Sequence, residues 1–222
     1  MFEVAFLDCD TQLDFMDPAG ALHVPGAETI VPNVKRLIGF ARARRIPLIS
    51  VVDAHFENDP EFGEWPAHCV AGTQGQRKIP GTTWDDSIVI PNRPVPIELR
   101  PGAQIVIEKR IFGVFDNVNM DVVLRKLGVR RLVVFGVSTD HGVRTAALGL
   151  LERGHAVSVV TDAVKGMTSE GEIEALSELT ASGAKLVTTE EILEELTGLG
   201  RSLALPGNPQ GRPGDRMRDR NP

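Results

Sequence analysis

The residues of this chain best suited to chemistry fall in four short segments, each directly after a run of apolar residues. They are Asp10-Thr11-Gln12-Leu13-Asp14-Phe15, Asp53-Ala54-His55, Lys109-Arg110 and Ser138-Thr139-Asp140-His141-Gly142. Asp53 and His55 stand two positions apart, so an extended segment projects both side chains from one face. His68 follows in Trp65-Pro66-Ala67-His68-Cys69, with Glu57, Glu61 and Glu64 in between. Two imidazoles with carboxylates are a donor set for a divalent ion, zinc foremost, with iron or manganese as alternatives. Loops also collect such residues by chance, so pattern alone leaves a metal centre and a solvated cluster level. Asp10 and Lys109 are expected to meet across neighbouring strands. On a solvated edge such a pair contributes little. Inside a pocket the ammonium holds Asp10 ionised, and Asp10 can then move a proton during a reaction.

The elements that must position these groups alternate short apolar runs with helical patterns, the signature of βαβ units. Strands are expected at Glu3–Asp8, Pro47–Val52, Gln104–Glu108, Arg131–Val137, Ala156–Thr161 and Lys185–Thr188. Val, Ile and Leu fill both faces of these runs, as in strands covered by helices on both sides. Helical spacing covers about Thr29–Arg45, Val118–Leu127, Asp140–Arg153, Ser169–Ala181 and Glu190–Leu196. Gly128, Gly154 and Gly183 each follow a helical pattern, where a left-handed cap residue is favoured. The expectation is a three-layer, doubly wound α/β domain with a mainly parallel sheet of about six strands. In such a sheet ligands bind at the carboxyl ends of the strands, near the switch in strand order. All four chemical segments fall at that edge. A long proline-rich segment, Asp53–Gly102, breaks the rhythm and holds both tryptophans. Loops of that length are usually functional. Ser87–Ile90 and Val95–Leu99 are expected to form a small hairpin within it. The domain is expected to span residues 1–196, with 197–222, rich in Gly, Pro and Arg, as a disordered tail.

Composition narrows the function. At 222 residues the chain suits one domain with a substantial core. A net charge of −6 argues against a nucleic-acid surface. Two cysteines are too few for a disulfide framework, and the first ten residues lack the basic and apolar regions of a signal peptide. No apolar stretch approaches membrane length. These features suit a cytoplasmic protein acting on a small molecule, with no nucleic-acid or membrane partner.

Four of these stretches together resemble the motifs of a known family. They are Asp10-Thr11-Gln12-Leu13-Asp14-Phe15, the Glu108-Lys109 strand end, Trp65-Pro66-Ala67-His68-Cys69-Val70-Ala71-Gly72-Thr73-Gln74-Gly75 and Gly136-Val137-Ser138-Thr139-Asp140-His141-Gly142-Val143. They resemble the isochorismatase-like cysteine hydrolases, the nicotinamidase branch above all, and occur in that family's order up to about Leu196. The resemblance implies a catalytic carboxylate at Asp10 and a catalytic lysine at Lys109. It implies metal ligands at Asp53, His55 and His68, with Glu61 in the place of a variable fourth ligand. Phe15 and Trp65 match aromatic residues that sandwich a substrate ring. Val137-Ser138 matches a cis peptide that helps aim main-chain N–H groups at an oxyanion, and His141 falls in the same substrate-facing turn. Relatives are commonly oligomeric, so a homo-oligomer is implied as well.

One position departs from the pattern. Gly142 stands where the amidases of the family carry the cysteine nucleophile. Cys9, one residue from Asp10 on a strand, is expected to face the opposite side of the sheet. Cys69 lies beside a ligand, and the nicotinamidase pattern already has it in addition to the nucleophile. Three readings follow. The first is a metal-containing amidohydrolase without a thiol, acting on a C–N bond of a small heteroaromatic amide through Asp10 and Lys109, with a water in the place of the thiol. The second is an isochorismatase-like vinyl-ether hydrolase; that branch also carries glycine here and uses the aspartate without covalent catalysis, but lacks the Asp53/His55/His68 metal set. The third is a binding protein that keeps the ligands and turns nothing over.

Overall fold

The structure, a computed structural model, describes residues 3–111 and 113–202, with side chains to residue 198. The strands are β1 (Val4–Cys9), β2 (Leu48–Asp53), β3 (Ser87–Ile90), β4 (Gln104–Lys109), β5 (Arg131–Val137), β6 (Ala156–Lys165) and β7 (Lys185–Val187). The helices are a single turn α1 (Leu13–Met16), then α2 (Val31–Arg44), α3 (Met120–Leu127), α4 (Arg144–Glu152), α5 (Ser169–Ala181) and α6 (Thr189–Ser202). All seven strands join one sheet in the order β3-β4-β2-β1-β5-β6-β7, and every pairing is parallel. None of the helices in the described residues is long and apolar enough to cross a membrane.

The period-2 alternation of the strands builds a core on each face. Ala5, Leu7 and Cys9 of β1 join Leu132 and Val134 of β5 beneath α3, α4 and α5. Phe6 of β1 joins Val133, Phe135 and Val137 of β5 on the opposite face, against Val34, Leu37, Ile38 and Ala41 of α2 and Ile192 of α6. Fully burying side chains of this size contributes roughly 1.5–3 kcal/mol each. Cys9 therefore faces away from the strand-end pocket, as the alternation requires.

Two differences from the sequence expectation concern the proline-rich segment and the end of the chain. Ser87–Ile90 is a seventh strand paired in parallel with β4, and residues 95–99 form no strand, so there is no hairpin. Pro91, Pro94 and Pro96 follow β3 directly and cannot donate to a ladder. The chain instead returns to the start of β4, where Gln104 N–H donates to Asp86 O at 3.0 Å. The last helix runs from Thr189 to Ser202 rather than stopping at Leu196, so Gly198 and Gly200 do not end it. The tail expected beyond it falls, from residue 203, outside the described residues.

The strand order reverses at β1, which pairs with β2 on one side and β5 on the other. Gly136 lets these strands approach there. It has φ 115°, and a Cβ built on it would lie 2.0 Å from the carbonyl oxygen of Cys9. No side chain fits that gap.

Candidate active site

At the reversal, β1 ends and the chain turns at Asp10, whose φ is 50°. Asp is one of the few side chains that tolerate this left-handed region. Asp10 N–H donates to Val51 O at 3.0 Å, so its backbone still belongs to the ladder while its carboxyl points into the pocket. Lys109 arrives from β4. The strand order places β2 between β1 and β4, which corrects the expectation of neighbouring strands. Asp53, the register partner of Lys109, lies between the two. Lys109 Nζ is 2.5 Å from Asp53 Oδ1 and 3.2 Å from Asp10 Oδ2. One ammonium thus serves two carboxylates, all three buried.

Burial and charge act in opposite directions on this triad. Burial raises Asp10 to about 7, against the pull of Lys109. Burial opposes ionisation of Asp53 too, but Lys109 and His55 outweigh it and hold its carboxyl below the ordinary value. Lys109 stays above the ordinary lysine range, because Asp10 and Asp53 outweigh the desolvation of its charge. Two carboxyls of one cluster are pushed apart in acidity, a pattern found where acid–base chemistry is done.

Beside the triad lies a group of metal-type donors. His55 Nε2 is 3.8 Å from Asp53 Oδ2 and 3.9 Å from Glu61 Oε2, and His68 Nε2 is 3.9 Å from Asp53 Oδ2. These gaps are too long for hydrogen bonds. They suit donors that each sit about 2.1 Å from one shared ion. His55 Nε2 and Glu61 Oε2 are buried with no hydrogen-bond partner, which is costly unless something joins them. Burial and the charge of Asp53 hold Glu61 above its ordinary value. A cation relieves all three stresses, so the donor set fits a divalent metal. The remaining nitrogen of His68 is occupied from behind, with Nδ1 2.7 Å from Pro66 O, a contact of the kind that fixes the tautomer aiming Nε2 at an ion. His55 Nδ1 faces Asp59 Oδ2 at 3.3 Å without completing a hydrogen bond.

The loop carrying these donors is fastened to the sheet by two residues after β1. Gln12 Oε1 accepts from Asp53 N–H at 2.7 Å, and its Nε2 donates to Asp53 O and Gln76 O, both at 2.8 Å. Asp14 Oδ2 accepts from Cys69 N–H at 2.7 Å, next to His68. His55 and Val70 form an isolated parallel bridge that extends the pairing beyond β2. Behind the loop, Lys78 bonds the buried Asp8 and Thr11.

Above these residues lies a pocket open to solvent. Ten of the sequence-predicted site residues line it: Asp10, Phe15, Asp53, Glu61, Trp65, His68, Lys109, Ser138, His141 and Gly142. His55 lies behind them, fully buried, and Val137 contributes main chain. Phe15 packs against His68 with ring centroids 5.2 Å apart, and Trp65 meets His141 edge-on at 5.7 Å. Leu22, Val24 and Met167 complete the apolar wall and carried no chemical signal in the sequence. Asp59 and Phe62, whose ring is tilted against His55 with centroids 5.2 Å apart, were also missed. The spacing His55-x-x-x-Asp59 was the one cue for the former.

The far wall is the turn after β5. The Val137–Ser138 peptide is cis, and Val143 N–H donates to Ser138 O across a wide π-type turn, Thr139–Val143. Such turns recur at functional sites. Ser138 Oγ lies 3.2 Å from His141 Nδ1, and Asp140 Oδ1 lies 3.2 Å from the same nitrogen. A Cβ built on Gly142 would sit 2.7 Å from Asp10 Oδ2 and 3.3 Å from Val137 O. The Asp10 carboxyl therefore occupies space that a side chain at 142 would need. Neither thiol lines the cavity, and both are buried; burial raises the pKa of each well above the ordinary thiol value.

Comparison with known proteins gives a consistent result. The isochorismatase domain matches residues 4–191. A protein from Arabidopsis thaliana named as a probable inactive nicotinamidase is 30% identical over 86% of this chain and 95% of its own. The nicotinamidase of Escherichia coli is 27% identical over 83% of this chain and 94% of its own. The zinc-bound pyrazinamidase of Pyrococcus horikoshii superposes with a TM-score of 0.71 at 32% identity, covering 84% of this chain and 99% of that one.

Proposed function

The chain belongs to the isochorismatase domain family, and from that premise we propose that it hydrolyses a C–N bond of a small heteroaromatic amide. The observation that carries this reading is the shared ammonium. Lys109 ties Asp10, the carboxyl raised to about 7, to Asp53, which belongs to the metal-type donor set, within one cavity.

In this reading the substrate ring lies between Phe15 and Trp65. Asp53, His55, Glu61 and His68 would hold a divalent ion, zinc first, which would supply Lewis acidity beside the substrate ring. Main-chain N–H groups of the turn at 138–142 face the amide oxygen as it gains charge. Asp10 gives a proton to the departing nitrogen, and Lys109 steadies the carboxylate left behind. Gly142 stands at the position of the family's thiol, so the attacking atom is an oxygen.

One observation favours the second reading. Asp10 Oδ2 sits within 2.7 Å of where a side chain at 142 would begin, which suits an aspartate that acts with no covalent partner, as in isochorismatase-like vinyl-ether hydrolysis. Two measurements on purified protein separate the possibilities. Metal analysis should return about one divalent ion per chain, and nicotinamide or pyrazinamide should release ammonia. Pyruvate from isochorismate with no ammonia from the amides transfers the assignment to the vinyl-ether reaction. Tight ring binding with neither product makes the chain a binding protein.

A further inference from the structure

If the attacking atom is not a thiol, the cavity itself limits the choice. Among its lining residues Ser138 carries the one hydroxyl, and none carries a thiol. Thr139 is also close in sequence, but its hydroxyl is buried outside the lining. A serine before a helical turn ordinarily caps it. Ser138 does not; its side chain makes no cap hydrogen bond to the turn that follows. Its Oγ is instead 3.2 Å from His141 Nδ1.

Asp140 Oδ1 lies 3.2 Å from the same Nδ1, so it accepts from that nitrogen only once His141 has taken a proton there, and both Asp140 oxygens accept from Met167 N–H at 3.1 Å. Partial burial works against the charge of Asp140, but the Met167 N–H and His141 outweigh it and keep the carboxyl below its ordinary value. A hydroxyl, an imidazole and an anchored carboxylate within hydrogen-bond reach of one another are the parts of an activated nucleophile. The constellation also borders the right place. Val137 O and Asp10 Oδ2 both flank the position where a side chain at 142 would project, and Ser138 follows Val137 directly.

We propose that Ser138 is the nucleophile of this chain, with His141 as its general base and Asp140 as the residue that positions His141. The proposal rests on the amidohydrolase reading and supplies its missing atom. In the step, Ser138 Oγ bonds to the amide carbon while its proton passes to His141 Nδ1, and the carbonyl electron pair moves onto oxygen. Collapse of that adduct breaks the C–N bond. The nitrogen leaves with a proton from Asp10, giving an ester on Ser138. The proton held by His141 then passes through solvent to the Asp10 carboxylate, and water hydrolyses the ester, with the neutral His141 taking one proton of the water and giving it to Ser138 as the ester bond breaks. No oxidant or further reactant is needed. Asp140 bonds no substrate atom; it stands within hydrogen-bond reach of both Ser138 and His141, and its anion pairs with the imidazolium formed at His141.

The test uses the full-length, metal-loaded chain and a fluorophosphonate probe, read by intact mass and peptide mapping. One phosphonyl group is expected on Ser138, and nicotinamide should slow its attachment. Ser138→Ala should abolish the adduct and lower any amide hydrolysis at least a hundredfold, with the melting transition retained. His141→Gln should slow labelling at least tenfold. Asp140→Asn should lower the maximal labelling rate while leaving the probe concentration for half-saturation within twofold, a split that mere loosening of the turn would not give. Absence of label on Ser138, or amide hydrolysis in Ser138→Ala within threefold of the parent, overturns the proposal. A chain labelled at Ser138 that hydrolyses no amide keeps the nucleophile and removes the amide reading, so the two failures are distinct.

Discussion

Asp10 is pulled two ways, by burial that favours its neutral form and by Lys109 that favours the charged one, and it settles at about 7. An acid poised there works while protonated. As the donor to a leaving nitrogen, Asp10 should therefore give a kcat that falls about tenfold per unit above pH 7. Asp10→Asn, similar in shape but unable to deliver the proton, should remove that limb and about a hundredfold or more of kcat in steady-state assays across pH. Gly142 offers a second residue-scale prediction. Gly142→Ala adds only the Cβ that would meet Asp10 Oδ2 at 2.7 Å. The carboxyl must shift from Lys109, so kcat should fall more than tenfold while the melting temperature changes little. If Gly142→Ala is as active as the parent, the close approach of Asp10 has no catalytic value. Most of these residues were legible because their types are unusual at strand ends. Asp59 was not, since one more acid in an acid-rich loop carries no mark until it is seen 3.3 Å behind His55.

At the scale of elements, the end of β2 is held by Gln12, which bonds both the N–H and the C=O of Asp53. Gln12→Ala leaves those buried groups unpaired, at a cost of about 1–3 kcal/mol. Denaturant unfolding should show that loss, and metal titration should show weaker binding in the folded protein. Asp59→Asn keeps the shape but weakens the partner of His55. Removing such a contact typically costs about 10–100-fold in metal affinity, measurable by competition with a chelator. The sequence marked the strands by their apolar runs and the helix ends by glycine, and Gly128, Gly154 and Gly183 all have positive φ. It placed β3 correctly but mispaired it, because a short strand between prolines does not announce its partner. The same four residues fit a hairpin or a parallel edge equally well until the return of the chain to Gln104 is known.

For the whole molecule, the balance of charge around the donor set links metal to stability. Anything that binds the folded chain and not the unfolded one stabilises it, by about 2.7 kcal/mol at a hundredfold excess over Kd. Stripping the protein with a chelator should therefore lower its melting temperature by several degrees, and zinc should restore it in calorimetry; an unchanged transition would count against a resident ion. We also assign the folded unit to the residues up to the end of α6. A chain ending at Ser202 should melt within about a degree of the full-length protein, since α6 already packs Ile192 into the core beneath α2.

The sequence by itself determined the class of fold and the stock of reactive groups. Apolar runs of strand length between helical patterns commit the chain to a parallel sheet covered on both faces, and polar residues just past those runs must gather at one edge. The tertiary structure decided which groups meet. Strand order put β2 between β1 and β4, so Lys109 is shared by Asp10 and Asp53 instead of belonging to Asp10 alone. Packing brought Glu61 and His68 to His55, and set the Asp10 carboxyl in the space beside Gly142. Spacing along the chain records only local geometry. Distances between segments depend on which strands pair and how the loops dock, and those are settled by burial across the whole molecule.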